Sequence, residues 1–502
     1  MPHMFRAAAF VCALTPLSAQ FGPAIGDWMT IGHDAQRSHW ARNDGKISPE
    51  EMKKPGFGLV WKVKLKGEAR QTSSVTPPAL LDFYIGYRGF RTLGFSGSAS
   101  GNITAIDTDL SRVEWEKNLG PVAAGAGTAA CPGGMTANLA RHTASGYPAA
   151  GIPRGQGRRT PAQSGVGQPN QGAVTLQQQQ QRQFTPPPVA AAKPGRTAPP
   201  GSPFARLPQY VHAIGPDGKF HSLYASNGDE PNEAVDFLPA GAHARGLIVF
   251  GNVAYAATVN GCGGVPDGIW SLDIREKKVT SWKAPAGITG TAGFAAAPDG
   301  TLYVSSGSEL FALEAGTLKQ KSSYSAGAKF TTSPLVFEFK GKDVVAAGLE
   351  DGTVHLVDGA GLNLLGKSAA SASGPASGAL ASWQEAGGQR WLLAPLKSEV
   401  AAMKVVERDG ALAVEAGWSS PKMVSPRTPM VFHGVVFALD GGDGRNRAVL
   451  HAVDGASGKT MWMSKDAIAG QVTTGGLAGG GGRVYVGAHD GTQYAFGFPM
   501  EH

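Results

Sequence analysis

One short stretch, Asp440-Gly-Gly-Asp443-Gly-Arg445-Asn446, carries three oxygen-bearing side chains in a segment that its glycines mark as a loop. Ca²⁺ is bound in proteins by several oxygen ligands, usually including carboxylates. Asp440, Asp443 and Asn446 are therefore calcium-ligand candidates. A glycine-rich hairpin between two strands explains the same stretch equally well, so both interpretations stay open.

A second set of candidates consists of hydrogen-bond donors at the starts of the segments that the repeats, described below, predict as inner strands. If those starts meet around one axis, their side chains could converge on an anionic ligand in an axial funnel. Side chains solvated in a wet channel mouth are the alternative. The candidates are Arg70, Gln71, His243, Arg245, Lys329 and Arg427.

Trp383 follows the sixth predicted inner strand and could serve as a stacking platform for a planar ligand, or could pack between neighbouring repeat units. The sequence gives little support for a histidine metal site, a serine nucleophile or a phosphate-binding site. The twelve histidines show no metal-ligand spacing, and the chain contains no Gly-x-Ser-x-Gly motif and no phosphate-cradling loop.

The N-terminus has the pattern of an export signal. Arg6 supplies positive charge, Ala7–Leu14 is a short apolar core, and Leu17-Ser18-Ala19 is an acceptable cleavage site. We therefore expect a signal peptide over residues 1–19 and a mature protein that is periplasmic or secreted. No later apolar run is long enough to span a bilayer.

Removal of the signal would take Cys12 with it and leave Cys131 and Cys262. In an oxidising compartment such a pair is a disulfide candidate. Two buried free thiols are the alternative. A metal site is less favoured, because neither cysteine belongs to a ligand-spaced Cys/His cluster.

The net charge of +7 comes from one segment. Residues 145–207 contain seven basic residues and no acidic one, together with the run Gln177–Gln181 and the prolines Pro186–Pro188. This composition predicts a disordered insertion. The rest of the chain is neutral in sum, which gives no support for nucleic-acid binding.

The elements that must position the candidates are repeats. The stretch Ala448–Trp462, AVLHAVDGASGKTMW, predicts a strand, a turn that starts at Asp454, and a second strand that ends on an aromatic residue. Equivalent anchor positions recur along the chain, and the five spacings from Asp273 onward are 41, 44, 46, 50 and 43 residues, a period typical of β-propeller blades. The eight anchors are Asp107, Gly215, Asp273, Glu314, Asp358, Lys404, Asp454 and Gly497.

Two further patterns complete this interpretation. Segments rich in small hydroxyl residues and proline, such as Thr331–Pro334 and Ser425–Pro429, are predicted as inner strands. The last anchor lies close to the C-terminus, whereas Gly58–Leu65 near the N-terminus looks like an outer strand without its own hairpin. We therefore predict an all-β, eight-bladed propeller, with seven blades as the alternative, whose ring is closed by the N-terminal strand. The expected organisation is a signal at 1–19, an N-terminal lead-in at 20–57, one propeller formed by 58–144 and 208–502, and the insertion at 145–207.

With these residues in view, the chain resembles the pyrroloquinoline-quinone (PQQ) repeat, or quinoprotein-like, β-propellers. AVDGASGKTMW is similar to the core of that repeat, and the segment from Asp27-Trp28 through Trp40 is similar to the opening segment of the family's dehydrogenases. The family includes PQQ-dependent alcohol dehydrogenases and non-catalytic propellers such as the outer-membrane assembly-factor subunit. The resemblance thus implies the fold, and leaves PQQ with Ca²⁺ as a cofactor to be tested.

The family's dehydrogenases bind the quinone near the propeller axis with a calcium ion, and many have adjacent cysteines over it. This chain has no adjacent cysteines and no Cys-x-x-Cys-His haem motif. We therefore expect an exported, monomeric binding module that uses its axial funnel for a ligand or a cell-envelope protein partner. The alternative is a PQQ-dependent dehydrogenase of alcohols or sugars without a haem domain.

Overall fold

The computed structural model describes residues 26–42, 44–67, 75–86, 89–122, 127–128, 130–147, 209–472 and 476–499. The chain is all-β, with eight blades arranged in a ring, as the repeats predicted. The predicted signal peptide, Arg70, Gln71 and residues 148–207 of the predicted insertion lie outside the described residues. Short 3₁₀ turns occupy Glu51–Lys53, Cys262–Gly264 and Lys465–Ala467.

Most blades are four-stranded antiparallel sheets, numbered here in chain order. Blade 1 contains Ala79–Gly86, Gly89–Gly97, Asn102–Asp107 and Arg112–Asn118; blade 2 contains Tyr210–Ile214, Lys219–Tyr224 and Val235–Asp236; blade 3 contains His243–Phe250, Val253–Val259, Gly268–Asp273 and Lys278–Lys283; and blade 4 contains Phe294–Ala296, Leu302–Ser306, Glu309–Leu313 and Gln320–Ser325.

The second half of the ring repeats this plan. Blade 5 contains Leu335–Phe339, Lys342–Gly348, Val354–Asp358 and Leu364–Lys367; blade 6 contains Ala381–Gln384, Arg390–Pro395, Val400–Arg408 and Ala411–Ser419; blade 7 contains Met430–Phe432, Val435–Asp440, Val449–Asp454 and Thr460–Met463; and blade 8 contains Ala478–Gly480, Arg483–Gly487, Thr492–Gly497 and the N-terminal strand Gly58–Lys64.

The ring closes as predicted. Gly58–Lys64 pairs antiparallel with Thr492–Gly497, so the N-terminal strand becomes the outer strand of the last blade. Its Trp61 is 8% exposed and belongs to the hydrophobic core shared by blades 7, 8 and 1. Closure removes the open sheet edge that the last blade would otherwise present.

The predicted position of the second blade's anchor is wrong by one strand. The turn after Asp454 is closed by hydrogen bonds from Asp454 N to Lys459 O and from Gly458 N to Asp454 O. In blade 2 the same pair of bonds closes the turn after Tyr224, not after Gly215. The Pro-Asp-Gly turn after Gly215 therefore joins the second and third strands, because Ala140 supplies an innermost bridge to His212.

The hydroxyl- and proline-rich segments were predicted as inner strands, but they precede the innermost strands instead. The innermost strands begin just after them, at Leu335 in blade 5 and at Met430 in blade 7. The segments themselves run in toward the axis, where Thr332–Ser333 pairs in parallel with Gly378–Ala379 of the following blade. Proline suits these approach segments because it lacks the N–H that a central strand needs.

An N-terminal segment formed by residues 28–42 and Asp44, here called the axial segment, contacts the innermost part of every blade. Its residues meet blades 1 to 8 in chain order. The bonds join Trp28 to Leu80, Met29 to Arg141, Thr30 to Leu247, Ala35 to Ala296, Gln36 to Val336, Ser38 to Ser382, His39 to Val431 and Asp44 to Gly482. Because the innermost strands surround the propeller axis, the axial segment winds once around that axis and fills the channel.

The predicted disulfide is confirmed. Cys131 and Cys262 are bonded, with 5.5 Å between their Cα atoms and 131 residues between them in sequence. The bridge ties the approach to blade 2 to the loop between the second and third strands of blade 3. Among the described residues, no helix has both the length and the apolar character needed to cross a membrane.

Candidate functional site

The candidate site is the mouth of the axial channel, defined here as the end at which the innermost strands begin. The opposite end, where the first strand of each blade turns into the second, is called the turn face. On the side of blades 4 to 6 the mouth is closed by main chain: Thr291 N donates to Gly378 O at 3.2 Å. A Cβ added at Gly290 would lie 2.0 Å from Ser333 N and 2.4 Å from Gly378 O, so three blades approach each other in direct contact.

Below the mouth the channel is filled by the axial segment. The guanidinium of Arg37 is fully buried and donates to Phe294 O at 2.9 Å, Gly246 O at 2.7 Å, Ile31 O at 2.6 Å and Thr30 Oγ1 at 3.0 Å. Burial lowers the pKa of Arg37 to about 9, an effect that the charge of Asp34 opposes. The bonds satisfy the guanidinium and fasten the segment to blades 3 and 4.

Two other ionisable groups of the axial segment respond to burial in different ways. Burial alone would raise the pKa of Asp34, but hydrogen bonds from His33 and Ser38 and the charges of His33 and Arg42 outweigh it and bring the value to about 2. Burial lowers the pKa of His39 to about 3. Neither ring nitrogen of His39 has a hydrogen-bond partner among the described residues, and its backbone φ is +54°. The axial segment thus contains a buried, uncharged imidazole in a strained conformation.

At the mouth, His243 and Arg245 lie beside the disulfide. His243 Nδ1 is 2.8 Å from the carbonyl oxygen of Ala130, the residue before Cys131. Burial lowers the pKa of His243 to about 4, and the charge of Arg245 adds to this. His243 is therefore neutral at neutral pH and donates to Ala130 through Nδ1, which leaves Nε2 as an acceptor.

Arg245 and Arg427 are each fixed by one bond to main chain of a neighbouring blade or approach segment. Arg245 Nη1 donates to Gly290 O at 2.7 Å, and Arg427 Nε donates to Val472 O at 3.0 Å. Burial lowers the pKa of both, although both stay charged at neutral pH. Each is half-buried, and the described residues provide neither with an ion-pair partner within 4.0 Å.

The two remaining described candidates, Lys329 and Trp383, have different surroundings. Lys329 is exposed on a turn in which its main chain pairs with that of Glu350. Trp383 is 4% exposed and its ring is parallel to that of Trp391, with 6.4 Å between centroids. A Cβ added at Gly455 of blade 7 would lie 2.7 Å from the Trp383 ring, so this indole lies between blades 6 and 7.

The three calcium candidates are engaged in hydrogen bonds with their own loop and the approach to blade 7. Asp440 accepts hydrogen bonds from the backbone N–H groups of Val424, Ser425 and Gly442. Asp443 accepts from the backbone N–H of Arg445 and from the backbone and side-chain N–H groups of Asn446, which closes a turn of its own. Throughout the part of the chain that the structure describes, no three His, Cys, Asp or Glu side chains cluster as a metal site would require.

The described residues at the axis do not fit a quinone cofactor with its calcium ion. A planar cofactor needs a slot near the axis, and on the side of blades 4 to 6 the main chains of Gly290, Ser333 and Gly378 are already in contact. A hard cation needs converging carboxylates. Both carboxylate oxygens of Asp440 accept hydrogen bonds from backbone N–H groups. Asp34 lies within the axial segment, where it accepts hydrogen bonds from Ser38.

Comparison with known proteins supports the fold and nothing finer. No family model and no curated protein matches this sequence. Among solved structures, the quinohemoprotein alcohol dehydrogenase from Comamonas testosteroni is 15% identical, with 95% of this chain and 81% of that chain covered and a TM-score of 0.55.

Two further solved structures show the same architecture. A europium-containing methanol dehydrogenase is 11% identical, with 95% of this chain and 98% of that chain covered and a TM-score of 0.57. The computationally designed Ika8 protein is 15% identical, with coverages of 88% and 100% and a TM-score of 0.51. At such identities the likeness shows a quinoprotein-like propeller fold, whereas function has to be argued from the site.

Proposed function

We propose that this protein is a non-catalytic binding module that holds an acidic segment of a protein partner across the mouth of its propeller. The observation that carries the proposal is the pair Arg245 and Arg427. Each guanidinium is held by a backbone carbonyl from a neighbouring part of the ring and keeps further N–H donors for a ligand. Donors fixed before binding lose little freedom when an anionic partner arrives.

The separation of the two arginines favours a macromolecular ligand. Blades 3 and 7 are four apart in a ring of eight, so Arg245 and Arg427 lie on opposite sides of the axis. On the side of blades 4 to 6 the mouth between them is closed by the contact of Thr291 with Gly378, and the axial segment lies below it. A ligand that reaches both guanidinium groups therefore lies across the mouth. A carboxylate-bearing protein segment has this size, and Arg pairs well with carboxylates.

The test measures binding of a poly-glutamate peptide by calorimetry at low salt. We expect Arg245→Gln with Arg427→Gln to weaken binding at least tenfold, because the charge-assisted bonds are lost. Arg408→Gln is the matched control, since Arg408 is an exposed arginine at the outer edge of blade 6 that pairs with Glu415. Equal weakening by the control, or no binding by the unaltered protein, would contradict the proposal.

The competing function, a PQQ-dependent dehydrogenase, is tested separately. The protein is mixed with PQQ and Ca²⁺, and quinone absorbance and dye reduction are followed with a panel of alcohols and sugars. We expect no stoichiometric quinone binding and no turnover, because the main chains of Gly290, Ser333 and Gly378 are in contact beside the axis and no described carboxylates cluster as a calcium site would require. Turnover that depends on added PQQ would overturn the binding-module proposal.

A further inference from the structure

The first hairpin of blade 1 extends beyond the turn face. In blades 3 and 7 the first hairpin turns at once: Val253 pairs with Phe250 on one side and Asp273 on the other, and Val435 pairs with Phe432 and Asp454. In blade 1 the equivalent residue is Leu93, which pairs with Asp107, but the hairpin continues to the pair Gly86 and Gly89. At ~3.3 Å per residue the hairpin of blade 1 is about 13 Å longer than those of blades 3 and 7.

One face of this extension is apolar and exposed. Phe83, Ile85 and Phe90 are 42%, 38% and 70% exposed, and Ile85 and Phe90 are directly opposite each other across the hairpin. Phe83 has a φ of +51° at an irregularity in the strand register, which aligns it with Ile85.

The described polar side chains beside the hairpin lie away from that face. On the opposite face Arg91 lies over the ring of Tyr84 and pairs with Glu114 at 2.9 Å. At the base, Asp82 accepts hydrogen bonds from Gly26 N at 2.9 Å and from Thr92 Oγ1 at 2.7 Å. These two carboxylates are therefore engaged, and the described exposed side chains Phe83, Ile85 and Phe90 are apolar.

Two features beside the apolar face indicate the kind of surface that contacts it. Lys46 is exposed, and its stem covers Gly482 in the loop that also brings Gly481 next to Thr92 at the base of the hairpin. Gly26, the first described residue, lies at the same place, because its N–H is bonded to Asp82. The predicted export signal, with its apolar segment Ala7–Leu14, precedes Gly26 in the sequence. Apolar side chains, a cation and the first described residue after the predicted leader thus occur together on one side of the turn face.

We propose that the blade 1 hairpin is a membrane-contact element that inserts Phe83, Ile85 and Phe90 into the interfacial layer of an anionic phospholipid bilayer. A narrow projection suits a bilayer better than a protein partner. The three side chains expose roughly 300 Å² in all, whereas a stable protein interface covers about 800 Å² on each partner. Insertion at a membrane surface requires no complementary cavity, and a nearby cation favours anionic head groups.

The surface lies at the end opposite the mouth, so this inference goes beyond the proposed function and does not depend on it. Membrane contact at the turn face leaves Arg245 and Arg427 directed away from the bilayer. The chain from Gln20 is the form to test, because the leader itself would bind lipid. Removal of residues 1–19 leaves every described contact in place, since the described residues begin at Gly26.

The first experiment is sedimentation with vesicles of phosphatidylglycerol and phosphatidylethanolamine. We expect the chain from Gln20 to bind weakly and reversibly, and Phe90→Ser to lower the partition coefficient about tenfold. Leu364→Ser is the matched control, because Leu364 is 47% exposed at the same end of the propeller in blade 5. Equal binding by Phe90→Ser and the unaltered chain, or no binding to anionic vesicles, would overturn the proposal.

A second experiment locates the contact. In the chain from Gln20 the remaining cysteines are bonded to each other, so Phe90→Cys supplies a single reactive thiol for an environment-sensitive fluorophore. We expect a blue shift on addition of vesicles, and none for the label at Leu364→Cys. A blue shift already present without vesicles, and removed by deletion of residues 20–25, would show that the chain's own N-terminus covers the face and would refute membrane contact. Emission from the label at position 90 that stays unchanged on addition of vesicles would also refute membrane contact.

Discussion

The indole Nε1 of Trp61 donates a 2.9 Å hydrogen bond to the carbonyl oxygen of Thr108. Trp61 lies on the closing strand of blade 8, and Thr108 follows the third strand of blade 1. The same bond recurs between Trp115 and Ala225, and between Trp418 and Gly455. One repeated interaction therefore docks the outer strand of a blade on the next blade, and at Trp61 it also seals the ring.

Substitution of Trp61 should destabilise the protein, and loss of the whole side chain should cost more than loss of the indole N–H alone. We expect Trp61→Phe to lower the free energy of unfolding by about 1–2 kcal/mol, because the carbonyl of Thr108 loses its donor. Trp61→Ala should cost about 3–5 kcal/mol, because a large buried side chain is lost as well. Urea denaturation measures both changes. Trp462→Phe is the control, since Trp462 makes ring contacts with Phe57 and Phe496 and no indole hydrogen bond of this kind; an equal loss there would argue against a special role for the bond.

Gly458 should be intolerant of a side chain for two reasons that can be separated. Its φ is +71°, and an added Cβ would lie 2.6 Å from the Trp418 ring. We expect Gly458→Ala to cost about 2–4 kcal/mol in the free energy of unfolding. Gly316→Ala is the matched control, because Gly316 has a φ of +73° but open space around its Cβ position, and should cost about 1 kcal/mol. Equal costs would show that the indole contact contributes nothing.

The disulfide should contribute several kcal/mol to stability. It closes a span of 131 residues, for which loop-closure entropy predicts about 5 kcal/mol. We expect the double change of Cys131 and Cys262 to Ser, or reduction, to lower the melting temperature. In the unfolded, unreduced chain from Gln20 we expect no free thiol in a colorimetric titration. Two free thiols in that titration would contradict the assignment.

Acid should destabilise the protein through His39. Its folded-state pKa is about 3, against 6.5 for the ordinary side chain, so between these values the unfolded chain binds a proton that the folded chain does not. The stability due to this group is complete above pH 6.5 and falls as the pH drops toward 3, by about 1.4 kcal/mol per pH unit within that window. His39→Asn removes the titration, and asparagine tolerates a positive φ.

Denaturant titrations at pH 4 to 7 measure the slope of stability against pH. We expect the slope of His39→Asn to be lower than that of the unaltered protein but not zero, because burial also lowers the pKa of His212 to about 3. His212→Asn offers the comparison at a site outside the axial segment. An unchanged slope in His39→Asn would mean that the imidazole takes up its proton without unfolding the axial segment.

The architecture was accessible from sequence because each blade repeats the same local signals. The turn after Asp454 and the outer-strand aromatic recur often enough to count the blades, and Gly58–Leu65 could be recognised as a strand without a hairpin. Blade 2 shows the limit of that method. Its outer strand is reduced to Val235–Asp236, and the Pro-Asp-Gly turn after Gly215 imitates the anchor better than the true turn after Tyr224 does.

The axial segment was less accessible, because nothing in it repeats. It is irregular, and its buried groups are the polar and charged types that usually mark a surface, including Asp34, Arg37 and His39. Their environment is supplied by strands hundreds of residues away. Among the mouth candidates, Arg245 and Arg427 were identified from their positions ahead of inner strands. That each is anchored to a neighbouring part of the ring depends on tertiary structure that no local pattern encodes.

The axial segment also has a consequence for the order of events in folding. Its contacts run in sequence from Leu80 to Gly482, and the closing strand pairs with residues up to Gly497. Asp44 and the closing strand Gly58–Lys64, which are synthesised early, therefore wait for Gly482 and for Thr492–Gly497 before they can pair. Such long-range pairing slows folding. Until those residues are synthesised the ring cannot close. Any process that requires a chain without its complete fold can therefore act throughout synthesis.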